Sequence, residues 1–155
     1  MARDLEDEKR KYIESIIGFD GTEFLFEEGY KMTIRVRCEE QNQDCPHGYR
    51  YELNLFAPDP NGNGVIRILG ADNAHAPADA KHPHDHWHEP KMNPAGRKPI
   101  GVKPGKAVKV ESIEDLIGKF FAETEKILLS QGLSKDVLKM NLPPKRARKN
   151  EGQAR

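Results

Sequence analysis

The chain has 155 residues, with 25 basic and 25 acidic side chains and a formal net charge of zero. That length predicts one domain with one core, and neutrality excludes any argument from overall charge toward a particular partner, so local clusters carry the reading. Charged residues make up 32% against 36% apolar, and the mean hydropathy is −0.80, which points to poorly ordered ends around a smaller folded centre. The first eleven residues are densely charged and carry no secretory pattern. No run of about 18 apolar residues exists to span a membrane. Two cysteines are too few for a disulfide framework, so a reduced cytoplasm is the expected setting.

The spacing of Leu5, Tyr12, Ile13, Ile16 and Ile17 predicts an N-terminal helix over Asp4 to Ile17, stopped by Gly18 and forming a unit 1–18. From Thr22 the period changes to two. A short strand is predicted over Glu23 to Phe26, a turn over Glu27 to Gly29, and a strand over Tyr30 to Cys38. In that strand Tyr30, Met32, Ile34, Val36 and Cys38 face one way, and Lys31, Thr33, Arg35 and Arg37 the other. Another strand, Gly48 to Phe56, sets Tyr49, Tyr51, Leu53 and Leu55 against Arg50, Glu52 and Asn54. The Asp59-Pro-Asn-Gly-Asn-Gly64 stretch is a dense turn signal, and Val65 to Leu69 is the returning strand. Lys106 to Val110 adds a short strand.

Ser112 then caps an amphipathic helix whose stripe is Ile113, Leu116, Ile117, Phe120, Phe121, Thr124, Ile127 and Leu128, with Gly132 as its stop. The core is thus 19–133, an α+β fold. An antiparallel sheet of about four to five strands is flanked by an N-terminal and a C-terminal helix. Within it 71–105 reads as a histidine-rich loop, long enough to be functional. The remainder, 134–155, reads as a short helix and a disordered basic tail containing Lys145-Arg-Ala-Arg-Lys149.

Five of the six histidines lie between His75 and His88, and His82, His84, His86 and His88 alternate without a break. In an extended chain period two puts those four rings on one side, with Pro83, Asp85 and Trp87 on the other. Three readings follow. In one, imidazoles drawn from His75, His84, His86 and His88 serve as general acid and base for phosphodiester cleavage, with no cofactor. RNA suits this because its 2′-hydroxyl is its own nucleophile. In the second, His84, His86 and His88, with Asp72, Asp85 or Glu89 as a further ligand, bind zinc or another transition metal in a metal-dependent hydrolase. In the third, the run belongs to a non-enzymatic nucleic-acid or partner-binding module, or to a polar surface loop.

Arg35 and Arg50, on the polar faces of neighbouring strands, are candidate phosphate ligands, since the guanidinium fork matches phosphate bidentately. Trp87 either stacks on a base or anchors the loop on the core. Asp72 and Asn73 either form a turn or support a histidine. Cys38, Cys45 and His47 give a weak metal pattern that is set aside, because zinc sites show tighter cysteine pairs.

These residues carry a resemblance. An arginine-bearing strand, a Gly-Tyr-Arg-Tyr strand, an Asp72-Asn73-Ala-His75 segment and the alternating His84, His86 and His88 precede a C-terminal amphipathic helix. This resembles the TumE-like family of small bacterial proteins, regarded as toxins of type II toxin–antitoxin systems. The similarity runs from about Glu23 to Gly132, with Ala71 where the family usually has tyrosine. It implies a toxin-like protein acting on RNA or translation, with RNA and a cognate antitoxin as partners, no membrane, and a possible homo-oligomer.

Overall fold

A computed structural model describes residue 18 and residues 20–38, 49–73 and 85–142. The predicted N-terminal helix, the loop around Cys45 and His47, His75, His82, His84 and the basic tail lie outside the described residues. The described chain forms strand β1 (Thr22–Leu25), a 3₁₀ turn (Glu27–Gly29), β2 (Lys31–Cys38), β3 (Tyr49–Pro58) and β4 (Val65–Asp72). Then come β5 (His86–His88), β6 (Pro90–Met92), β7 (Pro99–Val102), β8 (Lys106–Ala107), helix α1 (Ile113–Ser130) and β9 (Lys139–Asn141).

Seven of the strands make one antiparallel sheet in the order β8-β5-β4-β3-β2-β1-β9, and β6 and β7 pair separately. This corrects the expected fold class. Instead of four or five strands between two flanking helices, nine strands stand against one helix among the described residues. Two misread stretches account for the difference. The supposed loop over 71–105 contributes the end of β4 and all of β5, β6 and β7, which run out and back as a hairpin continued by β8. The supposed turns after Ser134 are replaced by β9, which pairs with β1 at the sheet edge.

The core lies on one face of the sheet. Alternation buries Met32, Ile34 and Val36 from β2, and Tyr49, Tyr51, Leu53 and Leu55 from β3, where Asn54 on the other face is buried as well. Helix α1 covers that face with Ile113, Leu116, Phe120, Thr124 and Leu128. Its start is fixed as the sequence predicts, because the Ser112 hydroxyl accepts from the Asp115 amide at 3.0 Å. Its end is fixed by Gly132 at φ 75, which lets the Leu133 amide turn back onto the Leu128 carbonyl. Edge-to-face ring pairs join helix to sheet at both sides, Phe24 with Phe121 at 5.2 Å and Trp87 with Phe120 at 5.7 Å. The opposite face is left to the charged partners of the alternation, and there the candidate site lies.

Candidate functional site

The cross-strand register decides which polar residues meet. Arg35 stands opposite Glu52, Glu52 opposite Asp72, and Asp72 opposite His86. One row therefore crosses four strands on the open face. His88 faces Gly70 one pair further along, and Arg37 faces Arg50 one pair the other way. Arg35, Arg50, Asp72, His86 and His88 thus share a face. The placements of His75 and His84 lie outside the described residues.

His88 is held at both ring nitrogens. Its Nδ1 lies 3.1 Å from the Lys103 carbonyl oxygen and its Nε2 lies 3.4 Å from Asp72 Oδ2. Both neighbours are acceptors, and a neutral imidazole donates from only one nitrogen, so a neutral ring hydrogen-bonds one of them while its other nitrogen lies close to the second. The chain returns over it closely: a methyl at Gly105 would sit 2.8 Å from His88 Cε1. His86, two residues earlier, is half-buried, and its ring has no hydrogen-bond or ionic partner among the described residues. The two histidines therefore differ in kind. His88 braces the strand, and His86 presents an imidazole that is not engaged.

Asp72 also accepts from Arg67, whose Nη2 is 3.1 Å from Oδ2. Arg67 escapes a reading by simple alternation, which puts it on the core side with Leu69 and Ala71. A bulge changes the phase: Leu55 pairs with Leu69 and Phe56 with Arg67, so Ile68 is an extra residue in β4. Beyond it Arg67 joins Gly70 and Asp72 on the open face. Gly70 is what makes the contact possible, since any Cβ there would collide with the Arg67 guanidinium lying across it. A glycine inside a strand is the sequence signal for such a close approach.

A double-mutant cycle tests this. Gly70→Ala and Arg67→Ala are each expected to lower stability by about 1 kcal/mol, as for a partly exposed charged hydrogen bond. The double variant is expected to lose no more than either single one, because both remove the same contact. Additive losses in urea unfolding would show that the two residues do not interact.

Asn73 and Asp85 bracket the histidine segment from the buried side. Asn73 is fully buried; its side-chain carbonyl accepts from the Tyr51 amide at 2.9 Å and its amide donates to the Tyr49 carbonyl at 2.8 Å. It continues the β3–β4 ladder with a side chain where the backbone departs. This is a cross-strand tie to β3, not the turn on its own backbone that was read for it. Arg50 is drawn to the same point, with Nη1 donating to the Asn73 carbonyl at 2.6 Å. Asp85 is buried and accepts from the Tyr51 hydroxyl at 2.6 Å. Burial first, and then the Asp85 carboxylate, push the Tyr51 phenol above its ordinary range, so it remains the donor.

Trp87 points to the core with 2% exposure, so the base-stacking role read for it is corrected. Phe120 packs against its ring and Lys119 Nζ lies 4.8 Å from its centroid. Ala71, directly opposite Trp87 in the register, is fully buried beside this large ring.

At the arginine end of the face, Asp20, Arg35, Val36, Arg37, Arg50, Tyr51 and Glu52 line an open depression of about 600 Å³. Asp20 is tied into it structurally, accepting from the Val36 amide at 2.9 Å. No group of three His, Cys, Asp or Glu side chains suited to holding a metal occurs among the described residues; of the expected ligand set His84, His86 and His88, the first lies outside them. No helix among the described residues is long and apolar enough to cross a membrane. Comparison with known proteins finds no matching family model, no matching characterised protein and no matching solved structure, so the chemistry of this face has to be argued from its own residues.

Proposed function

We propose that this chain is a toxin-like ribonuclease of a toxin–antitoxin system, acting in the cytoplasm on RNA by histidine acid–base chemistry. The observation that supports it is the shared face: the unengaged His86 imidazole projects from the same side of the sheet as Arg35, Arg37 and Arg50. Histidine is the side chain that exchanges a proton near neutral pH, and guanidinium groups stabilise charge developing on a phosphate.

In this reading the RNA 2′-hydroxyl attacks the adjacent phosphorus as an imidazole takes its proton. The P–O5′ bond breaks as a second imidazole protonates the leaving oxygen, giving a 2′,3′-cyclic phosphate and a 5′-hydroxyl. His86 supplies one imidazole, and His84 or His75, from the upstream part of the same segment, supplies the other. Arg50, anchored beside the point where the chain leaves β4, holds the phosphate. His88, Asp72 and Arg67 keep β5 in register and leave His86 to the substrate.

The test is an end-group experiment. Purified untagged protein is expected to cut RNA in the presence of EDTA and to leave 2′,3′-cyclic phosphate ends. Products carrying 3′-hydroxyl and 5′-phosphate ends, formed only when zinc or another transition metal is added, would replace this mechanism with a metal-dependent hydrolase.

A further inference from the structure

Resting on that reading, we propose that the substrate is a single RNA strand several nucleotides long, laid across the sheet from the arginines of β2 to His86. Arg35 and His86 belong to one cross-strand row and are separated by Glu52 and Asp72. Three steps at the usual strand spacing put their backbones about 14 Å apart. A single phosphodiester cannot sit at His86 and also reach Arg35. If β2 takes part in binding, it takes part through a phosphate remote from the one being cut.

The arginines are spaced for this. Arg35 and Arg37 are two residues apart on one strand, hence about 7 Å apart along it. Arg50 faces Arg37 on β3 and leans toward Asn73 at the histidine end. The three line one depression with Asp20 and Glu52. Of these carboxylates, Asp20 is turned onto the Val36 amide. Glu52 is exposed between the arginine end and the Asp72–Arg67 pair. It separates the arginine end of the face from the His86 end, and a backbone bridges the two by passing a base or ribose over the carboxylate. The chemistry favours a flexible strand over a duplex, whose stacked geometry keeps the 2′-hydroxyl out of line with its leaving group.

The experiment is binding of fluorescein-labelled 2′-O-methyl oligouridylates, which lack the nucleophile and survive contact with the intact protein. A ten-nucleotide strand is expected to bind at least tenfold more tightly than a dinucleotide. Three phosphates neutralised on a single strand give a slope of about −2 in log K against log salt. In the Arg35→Ala/Arg37→Ala variant the slope is expected to shrink to a magnitude below about 1, and the length advantage to shrink with it. Arg35→Lys/Arg37→Lys, which keeps the charge, is expected to restore the slope.

Equal affinity for the two lengths, a slope untouched by the alanine pair, or a duplex bound as tightly as the single strand would each overturn the proposal. Its failure is separable from that of the ribonuclease reading. A strand bound with the expected slope but never cut, in its unmodified form, removes the catalytic assignment and supports the track.

Discussion

Replacing His86 by alanine is expected to lower RNA cleavage by about 10²–10⁴-fold, the range for losing one positioned proton-transfer group, and to leave the unfolding midpoint in urea where it is. The two halves of this expectation have separate grounds. The first comes from the ring's place at the end of the Arg35–Glu52–Asp72–His86 row without a partner among the described residues. The second comes from the same absence: a half-buried ring that bonds to nothing contributes little to holding the strand. His88→Ala is the control and is expected to behave in the opposite way. It removes contacts to the Lys103 carbonyl and to Asp72, so about 1 kcal/mol of stability is expected to go with it. Its effect on cleavage is expected to be the smaller of the two. Steady-state cleavage of a defined oligoribonucleotide and urea titrations of both variants give the answer. Undiminished cleavage by the His86 variant would remove the residue from the mechanism.

That contrast was out of reach of the sequence, and the reason is physical. Alternation correctly put His86 and His88 on one side and Trp87 on the other, because period two is a property of any extended chain. It also identified the buried faces of β2 and β3 and the stripe of α1, where long apolar patterns and flanking signals agree. What alternation cannot state is what stands across the strand. The Lys103 carbonyl reaches His88 only because the chain returns through β7 and β8, and that ribbon is rich in proline and glycine, which reads as a loop.

Arg67 was hidden by the bulge at Ile68. One extra residue moved it from the core phase to the open phase, and only Gly70 hinted at its landing place. Trp87 was legible as an alternative between stacking and anchoring, but the choice depended on Phe120, more than thirty residues away. Short strands were the other loss. β5, β6 and β9 have three residues each, too few to show a period, whereas β8 starts where the short strand from Lys106 was expected. They exist because neighbouring strands supply hydrogen-bond partners, not because of intrinsic preference.

Trp87→Ala is expected to be the most damaging single substitution for stability, at about 3–5 kcal/mol for a large buried aromatic. A domain of this size has about 5–15 kcal/mol to lose. The ring is the largest side chain of the deeply buried set, packs edge-to-face on Phe120, and carries the Lys119 ammonium at 4.8 Å from its centroid. It is also the only apolar anchor of β5 itself, whose other two residues are the histidines. Stability and cleavage are therefore expected to fall together in this variant, whereas His86→Ala separates them. Trp87 is the only tryptophan, so the variant must be followed by far-UV circular dichroism. In the native protein the same ring serves as a reporter. Its emission is expected to resist acrylamide quenching and to stay unshifted when RNA binds, because the indole lies on the core side of the strand whose other side meets the substrate. Strong quenching on addition of RNA would mean that the indole turns out of the core to meet a base, and the division of β5 into a core side and a substrate side would then be wrong.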